Sequence, residues 1–246
     1  MKFSRRATYG FVAIALGFAT LTAGAEADGD PGRAAPPALL HPGDFHGDEI
    51  AVSADGEWLA LVSRNSQTSL EPVAVSIQPV RDRLLDGESG PITGKQVSVP
   101  GVDPLLVVRG IAGLRRGRVT EARLDCAGCG EPTEFNMHRR FAFRLGRDVY
   151  ELEAIPLQPD EPFDEHSEIR LSYRAAVQVI HRPTRPPDDP LWQVLWAGDL
   201  DGDGLLDLYL DTADHYNMRR RRLLLSSAAG PGELVGEVAA FQTTGC

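Results

Sequence analysis

Ile169-Arg170-Leu171-Ser172-Tyr173-Arg174-Ala175-Ala176-Val177-Gln178-Val179 is the stretch whose spacing decides the fold class. Ile169, Leu171, Tyr173, Ala175, Val177 and Val179 occupy every second position, with mainly polar or small residues between them. A period of two sends successive side chains to opposite faces of an extended chain, whereas a helix needs spacings of three and four. The pattern predicts one long, half-buried β-strand over residues 169–179.

Turn chemistry extends the same reading along the chain. At Gly146-Arg147 a tight turn would set Phe143 opposite Tyr150 and Phe141 opposite Leu152, so the apolar faces of two strands coincide. Asp55-Gly56 carries a type I′ hairpin signal, which would pair Val52 with Leu59 and Ile50 with Leu61. Shorter strands are expected at residues 73–77, 96–99, 105–108 and 118–122, and only residues 80–85 look briefly helical. With 25 Gly and 18 Pro in 246 residues, the chain is rich in turns. The expected fold is all-β and mainly antiparallel, a sandwich or two small sheets. Proline-rich joints at 156–162 and 183–190 suggest a β-rich domain over 45–160 and a β-rich C-terminal region over 161–246, or one domain made of both.

Residues 1–25 have the layout of a secretory signal. Lys2, Arg5 and Arg6 precede an apolar run over residues 11–21, and small residues offer cleavage after Ala25 or Ala27. That run is shorter than the roughly 20 residues a membrane-spanning helix needs, so no transmembrane segment is expected after cleavage. Residues 26–44 read as a flexible leader, with folding starting near Phe45. Export to the periplasm or beyond follows. The formal charge of −10 argues against nucleic acid as a partner, because polyanion binding draws on a cationic surface. Only Lys2 and Lys95 are lysines, a skew towards arginine attributable to base composition of the gene.

One motif carries chemistry. Asp199-Leu200-Asp201-Gly202-Asp203-Gly204-Leu205-Leu206-Asp207 puts carboxylates at loop positions one, three, five and nine, with glycine at the sharp turn. Hard oxygen donors in that order suit calcium, with Asp199, Asp201, Asp203 and Asp207 as side-chain ligands and Leu205 offering its carbonyl. An EF-hand would need a bidentate glutamate at position twelve, where Leu210 stands, and helical flanks. β-like segments flank the loop instead. Together with Gly198 and Leu208, the motif closely resembles the FG-GAP and VCBS-type repeats of integrin-like propellers and many exported bacterial proteins. The resemblance covers residues 194–211 and occurs once. It implies the same five ligands and a strand-loop-strand setting, and nothing about the remaining architecture. The site reads as structural, and Asp211, Asp214 and His215 belong to the strand exit rather than to the ion.

Other chemistry-bearing residues are less specific. Cys126 and Cys129 have the spacing of half a zinc knuckle, but no second pair exists. In an exported chain a disulfide is the expected fate, joining one of them to Cys246 or the two to each other. The five-residue spacing of His41 and His46 beside Asp48 makes a poorer metal motif. Arg219, Arg220, Arg221 and Arg222 would alternate faces as a strand begins at Leu223, some pairing with nearby acids, although lipid phosphate or an acidic glycan is the other reading. Trp192 and Trp196 would share a strand face in the core. The function expected is an exported, calcium-stapled β-rich protein that binds a protein or glycan ligand or serves at the cell envelope. The alternative is a secreted hydrolase of glycan or peptide, with Asp164, Glu165 and Glu168 as candidate acids.

Overall fold

The structure, a computed structural model, describes residues 36–125, 133–135, 139–158 and 162–245. The chain lays down β1 (Ala38–Leu40), β2 (Gly43–Phe45), β3 (Trp58–Arg64), β4 (Gln67–Val73), β5 (Ser76–Val80), β6 (Gly94–Ser98) and β7 (Leu106–Arg109). Four two-residue strands follow, β8 (Gly117–Arg118), β9 (Thr120–Glu121), β10 (Arg123–Leu124) and β11 (Thr133–Glu134), and then β12 (Arg140–Leu145). The last seven are β13 (Asp148–Ile155), β14 (Glu168–Tyr173), β15 (Ala176–His181), β16 (Leu191–Asp199), β17 (Asp207–Ala213), β18 (Met218–Leu225) and β19 (Gly236–Thr244). The fold is all-β, in four antiparallel sheets with no barrel. Their strand orders are β1-β7-β3-β4-β8, β2-β6-β5, β10-β12-β13-β14-β15 and β11-β16-β17-β18-β19, with β9 also pairing β16.

The alternation at residues 169–179 belongs to strands, but to two of them. Tyr173 pairs with Ala176, and Arg174 between them takes a left-handed φ of 54°. A two-residue reversal preserves the period of two, so sequence spacing alone could not separate a hairpin from one long strand. The consequence is that Ile169 and Leu171 are buried while Val177, at 60% exposure, faces out. At Gly146-Arg147 the expected register holds, with Phe143 opposite Tyr150 and Phe141 opposite Leu152. The Asp55-Gly56 hairpin does not form. Trp58 donates its indole N–H to the Ala54 carbonyl at 2.9 Å, which curls residues 54–58 into a loop. The reversal falls instead at Asn65 and Ser66, with φ of 50° and 60°, and Arg64 pairs with Gln67.

Three further expectations shift. The leader ends earlier than residue 44, because Ala38, Leu39 and Leu40 are buried and pair with β7; three apolar residues are too few to show a period. Residues 80–85 form no helix, since the Asp82 carboxylate accepts the Leu84 and Leu85 N–H groups at 2.9 and 3.1 Å and holds a single turn. The stretch 73–77 spans the end of β4 and the start of β5 rather than one strand. The expected signal segment, residues 1–25, and Cys126, Cys129 and Cys246 lie outside the described residues.

β17 explains why the sheets assemble around the C-terminal region. All seven of its residues are buried. Leu208 and Leu210 face a core with Phe141, Leu152 and Leu171, whereas Tyr209 faces another with Trp58, Leu61 and Leu106. Each core therefore joins residues from both sides of position 160. A bulge in β16 serves the same end: Val194 pairs with Leu210 and Trp196 with Tyr209, so Leu195 is left over. Trp192 and Trp196 are both core, but the extra residue turns them to different sides. Trp192 stacks on Phe163 at 4.5 Å in one core, and Trp196 enters the other.

Double burial predicts a contrast. Leu210→Ala should lower stability by about 2–5 kcal/mol, the usual range for emptying a packed leucine site, whereas Val177→Ala should stay within about 0.5 kcal/mol because that side chain is already in water. Urea titrations of the two variants measure the difference, and equal midpoints would contradict the layered arrangement.

Candidate metal centre

β16 and β17 deliver the acidic loop, with Gly198 opposite Asp207 at its neck. Gly202 and Gly204 reverse the chain at φ of 86° and 84°, a region that glycine enters without steric cost. The reversal points main-chain N–H groups inward. Gly202 and Gly204 donate to the two carboxylate oxygens of Asp199 at 2.8 and 3.1 Å, Asp203 donates to Asp201 at 3.2 Å, and Leu205 donates to Asp203 at 2.7 Å.

Not all the expected ligands converge. Asp199, Asp201 and Asp207 each bring one carboxylate oxygen within 4.8 Å of the others. Asp203 turns its second oxygen aside to the Ser226 hydroxyl at 2.8 Å. Asp207 differs from its companions in having no exposed surface. Burial pushes its carboxyl up to about 7; hydrogen bonds from Ser226 and Leu200 oppose the rise, and the nearby Asp201 charge adds to it. Its Oδ2 accepts the Leu200 N–H at 2.7 Å, and its Oδ1 accepts the Ser226 N–H at 2.8 Å. The donor set is all oxygen, with like charges close together, which fits a hard divalent cation.

Ser226 and Ser227 are the residues that sequence reasoning missed. They lie in the 3₁₀ turn Ser226–Ala228 between β18 and β19, which closes over the loop. The Ser226 hydroxyl stands 2.8 Å from Asp203 Oδ2 and 3.0 Å from Asp207 Oδ1, and the Ser227 hydroxyl donates to Asp201. A pair of serines far down the chain has no spacing relation to the motif, so only the pairing of β17 with β18 could reveal them.

The remaining candidates lie elsewhere. Asp211 accepts N–H groups of Ala213 and Arg220 at 3.2 and 3.0 Å, while Asp214 accepts from His181 at 2.8 Å and from the Trp192 indole at 3.1 Å. His215 stands 3.3 Å from Asp188. Asp164 is hydrogen-bonded to Ser167, Glu168 is held between Arg170 and Arg182, and Glu165 is exposed. β18 begins at Met218 rather than Leu223, so all four arginines are strand residues on alternating faces; Arg222 pairs with Glu237.

His46 bonds to Asp82 and not to His41 or Asp48 among the described residues. That hydrogen bond raises the imidazole above its usual 6.5 against the opposing effect of burial, and it lowers the Asp82 carboxyl below its usual 3.8. The imidazole's share of stability is present below 6.5 and is lost as pH rises through the raised value; the carboxylate's share is present above 3.8 and is lost as pH falls through the lowered one. The melting-temperature difference between the native chain and His46→Gln should thus be largest below pH 6.5, while Asp82 is still ionised, and shrink as pH rises through the raised imidazole value. A difference constant with pH would show that the pair carries no charge.

Comparison of the chain with family models, curated proteins and solved structures finds no match, so its fold and site stand on their own geometry.

Proposed function

We propose that the chain is an exported β-rich protein in which calcium in the 199–207 loop staples the β16–β17 hairpin to the turn after β18, and that it binds a protein or glycan ligand at the cell envelope rather than catalysing a reaction. The observation that carries the metal half is the convergence of Asp199, Asp201 and Asp207, with Asp207 buried and tied to Ser226. Asp203 and the Leu205 carbonyl complete the set implied by the likeness to FG-GAP and VCBS-type repeats. Bound calcium supplies the positive charge that cancels the repulsion among these acids. The chain's own groups do the rest: the loop N–H groups orient Asp199, and the serines orient Asp201 and Asp207. Support for a structural role comes from the surroundings, where hydrophobic strands flank the loop and Ser226 and Ser227 cover it.

A module of extracellular affinity, with a Kd of about 10⁻⁴ to 10⁻³ M, gains about 1.4 kcal/mol at ten times its Kd. For a chain of this size that is a rise of roughly 3–6 °C in Tm. Thermal melts in millimolar calcium against EGTA should show it, and the double variant Asp199→Asn, Asp201→Asn should abolish the response. Equal melts with no calcium heat in calorimetry would overturn the metal reading. Export is tested separately. N-terminal sequencing of the chain recovered from outside the cytoplasm should begin at Glu26 or Asp28, and recovery of an intact Met1 terminus there would contradict cleavage.

A further inference from the structure

At the opposite end of the same sheet, β18 and β19 present a second polar group. Arg219 pairs across the strands with Thr243, and Arg221 with Phe241, so the four residues share one face. The corner between β1 and β2, carrying His41, Pro42, Gly43 and Phe45, lies over that face and encloses a cavity of about 200 Å³. Phe45 and Phe241 meet edge to face at 5.2 Å along its wall.

The donors of this pocket are buried and unsatisfied. Arg219 Nη1, Arg221 Nε and His41 Nδ1 are all shielded from solvent and have no hydrogen-bond partner among the described residues. Such groups lose their hydration on folding with nothing to replace it, so native proteins rarely leave several together. The nearest acid, Asp211, stands 3.9 Å from Arg219 Nε, beyond good hydrogen-bond reach, and offsets one charge of two. Asp211 also stands directly opposite Arg221 in the β17–β18 ladder, but Arg221 makes no ion pair among the described residues, and burial pulls its guanidinium down to about 10. The two arginines, two residues apart on one strand, stand roughly 6–7 Å apart at the backbone, and the histidine approaches from the overlying corner. Donors arriving from separate directions suit an acceptor that is negative in three dimensions. Arginine is also the side chain best shaped to hold phosphate-type oxygens.

We propose that this pocket binds a tetrahedral oxyanion of the phosphate type, as the free ion or as the end group of a larger ligand, with Arg219, Arg221 and His41 as its donors. The cavity holds a five-atom anion with room for water, each water occupying about 30 Å³. The Arg219 side chain, 42% exposed, forms the rim through which the anion enters.

The test uses the whole mature chain in EGTA, so that its outcome is independent of the calcium reading. Isothermal calorimetry and ³¹P line broadening are followed with inorganic phosphate and with phenyl phosphate, and Tm is compared with chloride at equal ionic strength. Phosphate excluded from protein surfaces also stabilises folded chains without binding, so the variants carry the decision. Saturable binding in the native chain that weakens tenfold or more in Arg221→Met and in Arg219→Gln is the expected result. In chloride, Arg221→Met should melt at or above the native temperature, because among the described residues its guanidinium has no hydrogen bond or ion pair to lose. If that variant fails to fold, Arg219→Gln and His41→Ala decide in its place. Binding of inorganic phosphate alone assigns the free ion, and equal or tighter binding of phenyl phosphate assigns a monoester end group. No saturable binding of either, or binding unchanged in the arginine variants, overturns the proposal.

Discussion

A carboxylate with no exposed surface holds the C-terminal region together. Asp207 accepts the Leu200 N–H on one oxygen and the Ser226 N–H on the other, so a single side chain joins the loop after β16 to the turn after β18. Its position leaves little freedom, because β17 is buried along its whole length and Leu208 and Tyr209 must enter different cores. The acid at the mouth of the strand is fixed by the packing behind it. Leaving that oxygen without donors would cost more than the hydrogen bonds gain, since desolvation is already complete.

What sequence could and could not reveal follows from how local each signal was. The pairing of Phe141 with Leu152 was legible because turn and alternation agree within a dozen residues. The acidic loop was legible for the same reason, as a local pattern between β-like flanks, and the strands stand where the flanks indicated. Arg174 was not legible as a turn residue, since a non-glycine at positive φ gives no composition signal. Nor was the bulge at Leu195, which inserts one residue into a run that otherwise reads as continuous. That single residue separates Trp192 from Trp196, and with them the two cores. Asn65 and Ser66 outcompeted Asp55-Gly56 because β3 and β4 carry a longer matched register beyond them.

Long-range partners were the larger gap. Ser226 and Ser227 sit on the aspartate loop only because Leu208 pairs with Leu224, a relation spread over strands joined by a separate turn. Likewise β1 is three residues long and acquires meaning only through β7. Short elements in this fold are specified by their neighbours, which is the general condition of β proteins whose contacts are distant in sequence.

The sheet also places its charges unevenly, which composition conceals. A formal charge of −10 suggests an acidic surface throughout. Within β17 and β18, however, Asp207 lies at the end joined to the acidic loop, where Ser226 caps it, and the arginines lie toward the end that begins with Met218, with Asp211 beside them. Leu208, Tyr209, Leu210, Leu223 and Leu224 separate the ends with an apolar belt, so Asp207 lies roughly 13 Å along the strand from the rung of Arg221, which pairs with Asp211. At that distance, more than one Debye length at physiological salt, the two groups sense each other only weakly through solvent. Their stability problems are therefore independent and of opposite sign. One end brings carboxylates together, the charge for which calcium is proposed; the other buries guanidinium and imidazole nitrogens that find no acceptor among the described residues, the charge for which an anion is proposed. β17 is buried along its whole length and cannot carry Asp207 or Asp211 into water without losing its core, whereas the arginines of β18 are half-buried.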